Sequence, residues 1–171
     1  MRYKIVFSYD GTNYNGYQKQ PNLNTIQGNI ESALKYINNK NDTKFVSSGR
    51  TDKGVHANNQ VGHFNLDVDI TEYKLKCALN SLLPNDIHVK KAIVVDDSFH
   101  ARYDVKTKEY LYLINLGEYN PITRNYIYQY NNKLDIEKMK IASKFFIGEH
   151  DFSAFCSNED KKEDNVRIIY D

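Results

Sequence analysis

The chain has 171 residues, 40% hydrophobic and 26% charged, with a formal net charge of +1. This balance fits a globular protein with a core and excludes a disordered tail or a protein that draws polyanions by its overall field, so a nucleic-acid partner has to be held by a local basic patch. Two cysteines, Cys77 and Cys156, lie far apart without metal-ligand spacing, and no apolar run reaches membrane-spanning length. The sequence therefore argues against a disulfide scaffold, a zinc site or a membrane partner, and predicts buried thiols and a cytoplasmic location.

Residues 2–9, RYKIVFSY, alternate with Tyr3, Ile5 and Phe7 on one face and end at the turn signal Asp10-Gly11, which predicts a strand. NTIQGNIESALKYINN then places Ile26, Ile30, Ala33, Leu34 and Ile37 at helical spacing, with Asn24 or Thr25 as N-cap. KFVSSG and NQVGHFNLDV read as strands entering and leaving a loop. TEYKLKCALNSLL puts Tyr73, Leu75, Ala78, Leu79 and Leu82 on one helical face before Pro84, and DIHVKKAIVV follows as a strand. Strand, helix, strand, strand, helix, strand is the order of an α+β fold of the ferredoxin-like or RRM-like kind, an antiparallel sheet with helices on one face, predicted here over residues 1–105. Beyond it, TKEYLYLINL and YIYQY read as strands, DIEKMKIASKFFI as a helix stopped by Gly148, and VRIIYD as a strand just begun. Residues 106–171 thus read as an incomplete second α+β half, with SNEDKKEDN as a loop.

The segment SSGRTDKGVHA, residues 47–57, breaks the strand pattern. In an extended chain Arg50 and Asp52 face the same side with Thr51 turned away, so the arginine can pair with the carboxylate and keep it ionised, ready to act as nucleophile or base. Gly49 and Gly54 permit tight entry and exit. The same residue types also make ordinary solvated turns, and on spacing alone that reading is the commoner one. The 14 tyrosines leave a similar choice open, since a tyrosine packs on a half-buried strand or offers its ring to a base.

YDGTNYNGYQKQ, GRTDKGVHANNQVGHF, LNSLLPNDIHV, FHARYDVKTKEYLYLI and GEHDFSAF occur in one order, and in that order the sequence resembles the tRNA pseudouridine synthases of the bacterial A type from Tyr9 to about Arg167. The resemblance implies an enzyme without cofactor or metal that detaches uracil from its ribose, turns it and rejoins it through carbon 5, at positions 38 to 40 of the tRNA anticodon arm. It implies Asp52 as the catalytic carboxylate, Arg50 as its ion-pair partner and Tyr110 as the residue against the base, in a cytoplasmic homodimer. Lys53, His56, Arg102, Lys106 and Lys108 become candidates for phosphate contacts, although a surface ion pair explains His100 and Arg102 equally well if FHARY is extended. His63, His88 and His150 have no metal spacing and are assigned structural roles, and Asp151 a cap or packing role.

Two departures stand out. Tyr17 replaces a usual Trp, and Lys108 replaces a usual Arg, which removes a bidentate phosphate fork. Family members also continue past this chain's length, so the sequence predicts either a truncated chain or one completed by a partner or dimer mate. The alternative to an active isomerase is an RNA-binding fragment without turnover. A hydrolase built on Asp52 and His56 is weaker, because no orienting group is identifiable for it.

Overall fold

A computed structural model describes residues 1–156 and 165–171. Of the loop expected at SNEDKKEDN, residues 157–164 lie outside the described residues. The chain divides into two compact units, Met1–Tyr110 and Leu111–Asp171.

In the first unit, β1 (Arg2–Tyr9), β2 (Val46–Ser47), β3 (Ala57–Asn65) and β4 (Ile87–Val94) form an antiparallel sheet in the order β2-β3-β1-β4, with α1 (Ile26–Ile37) and α2 (Glu72–Leu82) between them in sequence. That is the ferredoxin-like arrangement. The alternation of β1 sends Tyr3, Ile5, Phe7 and Tyr9 into the core, where they join Ile26, Ile30, Ala33 and Leu34 of α1 and Leu75 and Leu79 of α2. Phe45 completes this layer by lying against β3 at Gly62, where a Cβ would overlap its ring. Thr25 caps α1, its hydroxyl accepting from the Gly28 N–H at 3.3 Å.

Tyr73, at 77% exposure, and Leu82 point outward, and Leu83 just beyond the helix is buried in their place. The predicted helical stripe was wider than the face that α2 presents to the sheet. Cys77 is exposed and Cys156 half-buried, which corrects the expectation of two buried thiols. FHARY is not extended. Its backbone turns back so that the Tyr103 and Asp104 N–H groups both donate to the His100 carbonyl. His100 stacks on Tyr103 with ring centroids 4.3 Å apart. The turn also covers His63, whose Nδ1 accepts from the Ala101 N–H at 3.1 Å.

In the second unit, the strand predicted over 107–116 shrinks to β5 (Ile114–Asn115), which pairs in parallel with β6 (Tyr128–Gln129). Residues 107–113 have the composition of a strand, but among the described residues only the Leu113 carbonyl finds a backbone partner, the Tyr128 N–H at 2.8 Å. α3 (Ile136–Ser143) continues into a 3-10 turn at Lys144–Phe146. Gly148, with φ +104, opens β7 (Gly148–Asp151), which pairs antiparallel with β8 (Val166–Ile169). Asp151 closes a local turn ahead of the 3-10 turn Ser153–Phe155, its Oδ1 accepting from the Ser153 N–H at 2.9 Å. No helix among the described residues is long and apolar enough to cross a membrane.

Candidate active site

The loop from Ser48 to His56 joins β2 to β3 and is fastened on both sides of Asp52. On the β2 side, the Ser48 N–H donates to the Val61 carbonyl at 2.8 Å, and the Gln60 amide on β3 donates to the Gly49 carbonyl at 3.2 Å. At the centre, Thr51 turns its hydroxyl inward to the Tyr9 hydroxyl at 2.8 Å, and its carbonyl accepts from the Tyr17 N–H at 3.0 Å. On the β3 side, the Val55 N–H donates to the Asp52 carbonyl at 3.2 Å, closing a turn in which Gly54 has φ +81. Only a residue without a Cβ adopts that angle cheaply.

Gly11 lets the strand end and the loop approach one another, because a Cβ there would overlap the Val55 carbonyl. Its N–H donates to Nδ1 of His56 at 3.1 Å. Oδ1 of Asp10 stands 3.0 Å from the same nitrogen, an ion pair only when the imidazole is protonated. His56 is therefore engaged with Asp10 and Gly11, away from the role that a hydrolase pairing with Asp52 would need.

Burial pushes the Tyr9 phenol up, partly offset by its bond to Thr51. Burial also pushes up the phenol of Tyr17, which is 2% exposed and whose hydroxyl has no hydrogen-bond partner among the described residues. Ser47 lies close enough to offset part of that rise without forming a bond of ordinary geometry.

Thr51 faces inward, so its neighbours face out. Arg50 and Asp52 are both exposed, as alternation along an extended chain predicts. The expected ion pair between them is not formed among the described residues. Both side chains end in water, where an arginine and a carboxylate gain little by meeting. Of the predicted residues outside the loop, Lys108 reaches it: a Cβ at Gly49 would lie 3.4 Å from its Nζ. Lys53 sits in the turn itself, while Arg102, Lys106 and Tyr110 are exposed on the segment that ends the first unit. Tyr110 is 76% exposed and its ring stacks on no other ring among the described residues. Among the described residues no group of three or more His, Cys, Asp or Glu could hold a metal ion.

The sequence did not disclose the fastening residues Tyr9, Gly11 and Gln60. Tyr9 and Gln60 read as strand positions and Gly11 as half of a turn signal, and only the fold brings them to the loop.

The geometry is that of one carboxylate held out to solvent on a fixed backbone, with cationic side chains beside it. A family profile described as tRNA pseudouridine synthase matches residues 5–104, a span that includes this whole loop. The chain belongs to the tRNA pseudouridine synthase family. A tRNA pseudouridine synthase A from Listeria monocytogenes serotype 4b is 45% identical over 170 residues, covering 99% of this chain and 68% of that protein. Proteins of the same name from Caldicellulosiruptor saccharolyticus and Thermosipho melanesiensis are 47% and 46% identical, covering 98% and 99% of this chain and 68% and 69% of their own lengths. The chain therefore spans about two thirds of these tRNA pseudouridine synthases, and its match to them takes in both units.

Proposed function

We propose that this protein converts uridine to pseudouridine in tRNA, at positions 38 to 40 of the anticodon arm, with Asp52 as the catalytic carboxylate. The observation that carries this reading is the fastened loop, which holds Asp52 outward inside the segment shared with the synthases. The reaction breaks the bond from the ribose carbon to N1 of uracil and makes one from the same carbon to C5. The C5 hydrogen leaves as a proton and N1 gains one. Atoms and electrons balance without a co-substrate, so the protein has only to free the base, stabilise the charge on the sugar and turn the ring. A carboxylate next to the glycosidic carbon serves the second need, as a nucleophile or as a base.

The target base has to leave its stack to reach such a group. In this reading Arg50 supports the unstacked strand and Tyr110 offers its exposed ring to the base, while Lys53, His56, Arg102, Lys106 and Lys108 contact phosphates. Lys53, Arg102, Lys106 and Lys108 supply locally the positive charge that a net +1 does not supply globally. A homodimer in the cytoplasm belongs to the same reading, and apolar side chains exposed on Leu111–Asp171, such as Ile141 and Phe145, support self-association.

Carbodiimide adducts of pseudouridine stop reverse transcriptase, so primer extension on tRNA transcripts incubated with this chain tests both chemistry and position. Stops at 38 to 40 that vanish with Asp52→Asn are expected. Retained tRNA binding without stops would favour the second reading, a fragment that binds RNA without turnover. The outward-facing apolar residues of the second unit are the observation behind that alternative.

A further inference from the structure

Resting on Asp52 as the reacting carboxylate, we infer that Tyr9 and Thr51 are a positioning pair, whose hydroxyl–hydroxyl bond fixes the direction in which Asp52 points. Tyr9 is the last residue of β1, which lies inside the sheet between β3 and β4, and is 4% exposed. Its hydroxyl meets Thr51 Oγ1 at 2.8 Å, and either oxygen can donate. Thr51 immediately precedes Asp52 and is tied by both side chain and backbone, the latter through the Tyr17 N–H at 3.0 Å. Side chains alternate along an extended segment, so anchoring the Thr51 side chain inward sends Arg50 and Asp52 outward.

Removing the hydroxyl bond leaves the Tyr17 bond and the turn from Asp52 to Val55 formed but more often open. The loop stays folded but residue 51 can rotate about its backbone. Asp52 then spends less time at the position where it reacts, whereas the basic side chains that hold tRNA in the ground state are untouched. Misplacing a reacting group by about 1 Å costs on the order of 10²-fold in rate, so partial release of one tie costs roughly 10-fold in kcat. Neither Tyr9 nor Thr51 touches the substrate in this account.

The test compares kcat and KM on tRNA transcripts for the intact chain, Tyr9→Phe, Thr51→Val, their double variant and Thr51→Ser. Tyr3→Phe is the control, because Tyr3 lies on the same strand and loses an equivalent bond, to the Ile70 carbonyl at 2.7 Å, far from the loop. We expect Tyr9→Phe and Thr51→Val each to lower kcat roughly 10-fold with KM within about twofold, the double variant to be no worse than the worse single, and Thr51→Ser to restore turnover. Tyr3→Phe should lower the thermal midpoint and leave kcat alone. Amide hydrogen exchange on the free chain gives a readout independent of turnover: the Tyr17 and Val55 N–H groups, both bonded to loop carbonyls, should exchange faster in Tyr9→Phe and Thr51→Val. Unchanged exchange at those amides overturns the inference, as does kcat that is unaffected or that falls equally in Tyr3→Phe. If Asp52→Asn is inactive while Tyr9→Phe turns over normally, the positioning pair alone is wrong. If Asp52→Asn turns over normally, the functional reading and the pair fail together.

Discussion

In Met1–Tyr110 each helix sends a row of side chains into the core, Ile26, Ile30 and Leu34 from α1 and Leu75 and Leu79 from α2, whereas α3 of Leu111–Asp171 buries none of its residues. The strands differ in the same way. β1 and β3 run eight and nine residues, while β5 and β6 are two residues each. Both regions contain aromatic and β-branched segments, so local propensity does not separate them. What separates them is whether each strand has a neighbour and each apolar stripe has something to cover it. The site follows this division: the loop carrying Asp52 draws its rigidity from β1 and β3, the best-packed strands of the first unit.

The comparison is sharpest in the core. Phe45→Ala removes a ring packed edge-on to Phe7 at 5.7 Å and tilted against Phe64 at 5.9 Å, and should destabilise the protein by about 3–5 kcal/mol in urea unfolding. Phe145→Ala, at a residue 78% exposed in the second unit, should change stability by no more than about 0.5 kcal/mol. Losses of equal size would break the comparison.

Gly11→Ala comes next. The new methyl has to push against the Val55 carbonyl, a backbone atom that cannot rotate aside, at an expected cost of about 1–3 kcal/mol. Turnover should fall further than stability alone predicts, since the displaced carbonyl belongs to the loop, and a thermal melt measured beside a rate assay separates the two effects. Tyr17→Phe should go the other way. It removes a buried hydroxyl that has no partner among the described residues, so unfolding should show a neutral change or a gain of up to about 1 kcal/mol.

The smallest effect is that of pH on the first unit. Burial, helped by His100 and Arg2, holds the His63 imidazole below its ordinary value of 6.5. The unfolded chain therefore binds a proton more readily than the folded one, and the stability from neutral His63 is full above about pH 6.5 and lost as pH falls below it. Urea midpoints should decline from pH 7 to pH 5.5 in the native chain and decline less in His63→Asn, whose amide oxygen takes the place of the Nδ1 that accepts from Ala101. Equal slopes would remove His63 from the account.

How much could be read from the sequence follows the same physical line. Where a strand has partners on both sides, as with Tyr3, Ile5 and Phe7 in β1, alternation alone identifies its buried face. The cap at Thr25 and the outward direction of Asp52 beside an inward Thr51 are local properties and were equally legible. Residues 107–113 misled because a run such as EYLYL satisfies strand propensity without revealing that, among the described residues, only its last carbonyl meets another strand. FHARY misled because its turn is stabilised by packing over His63, a contact between residues far apart in the chain. The fastening of the loop by Tyr9, Gly11 and Gln60 was hidden for the same reason.

The claim that the fastened loop presents a reacting carboxylate is tested most directly by tritium release from tRNA labelled at carbon 5 of uracil, because joining that carbon to the ribose must expel its hydrogen. The account predicts release by the native chain and none above background by Asp52→Asn, with tRNA binding retained in both. Release at equal rates by both proteins would contradict it.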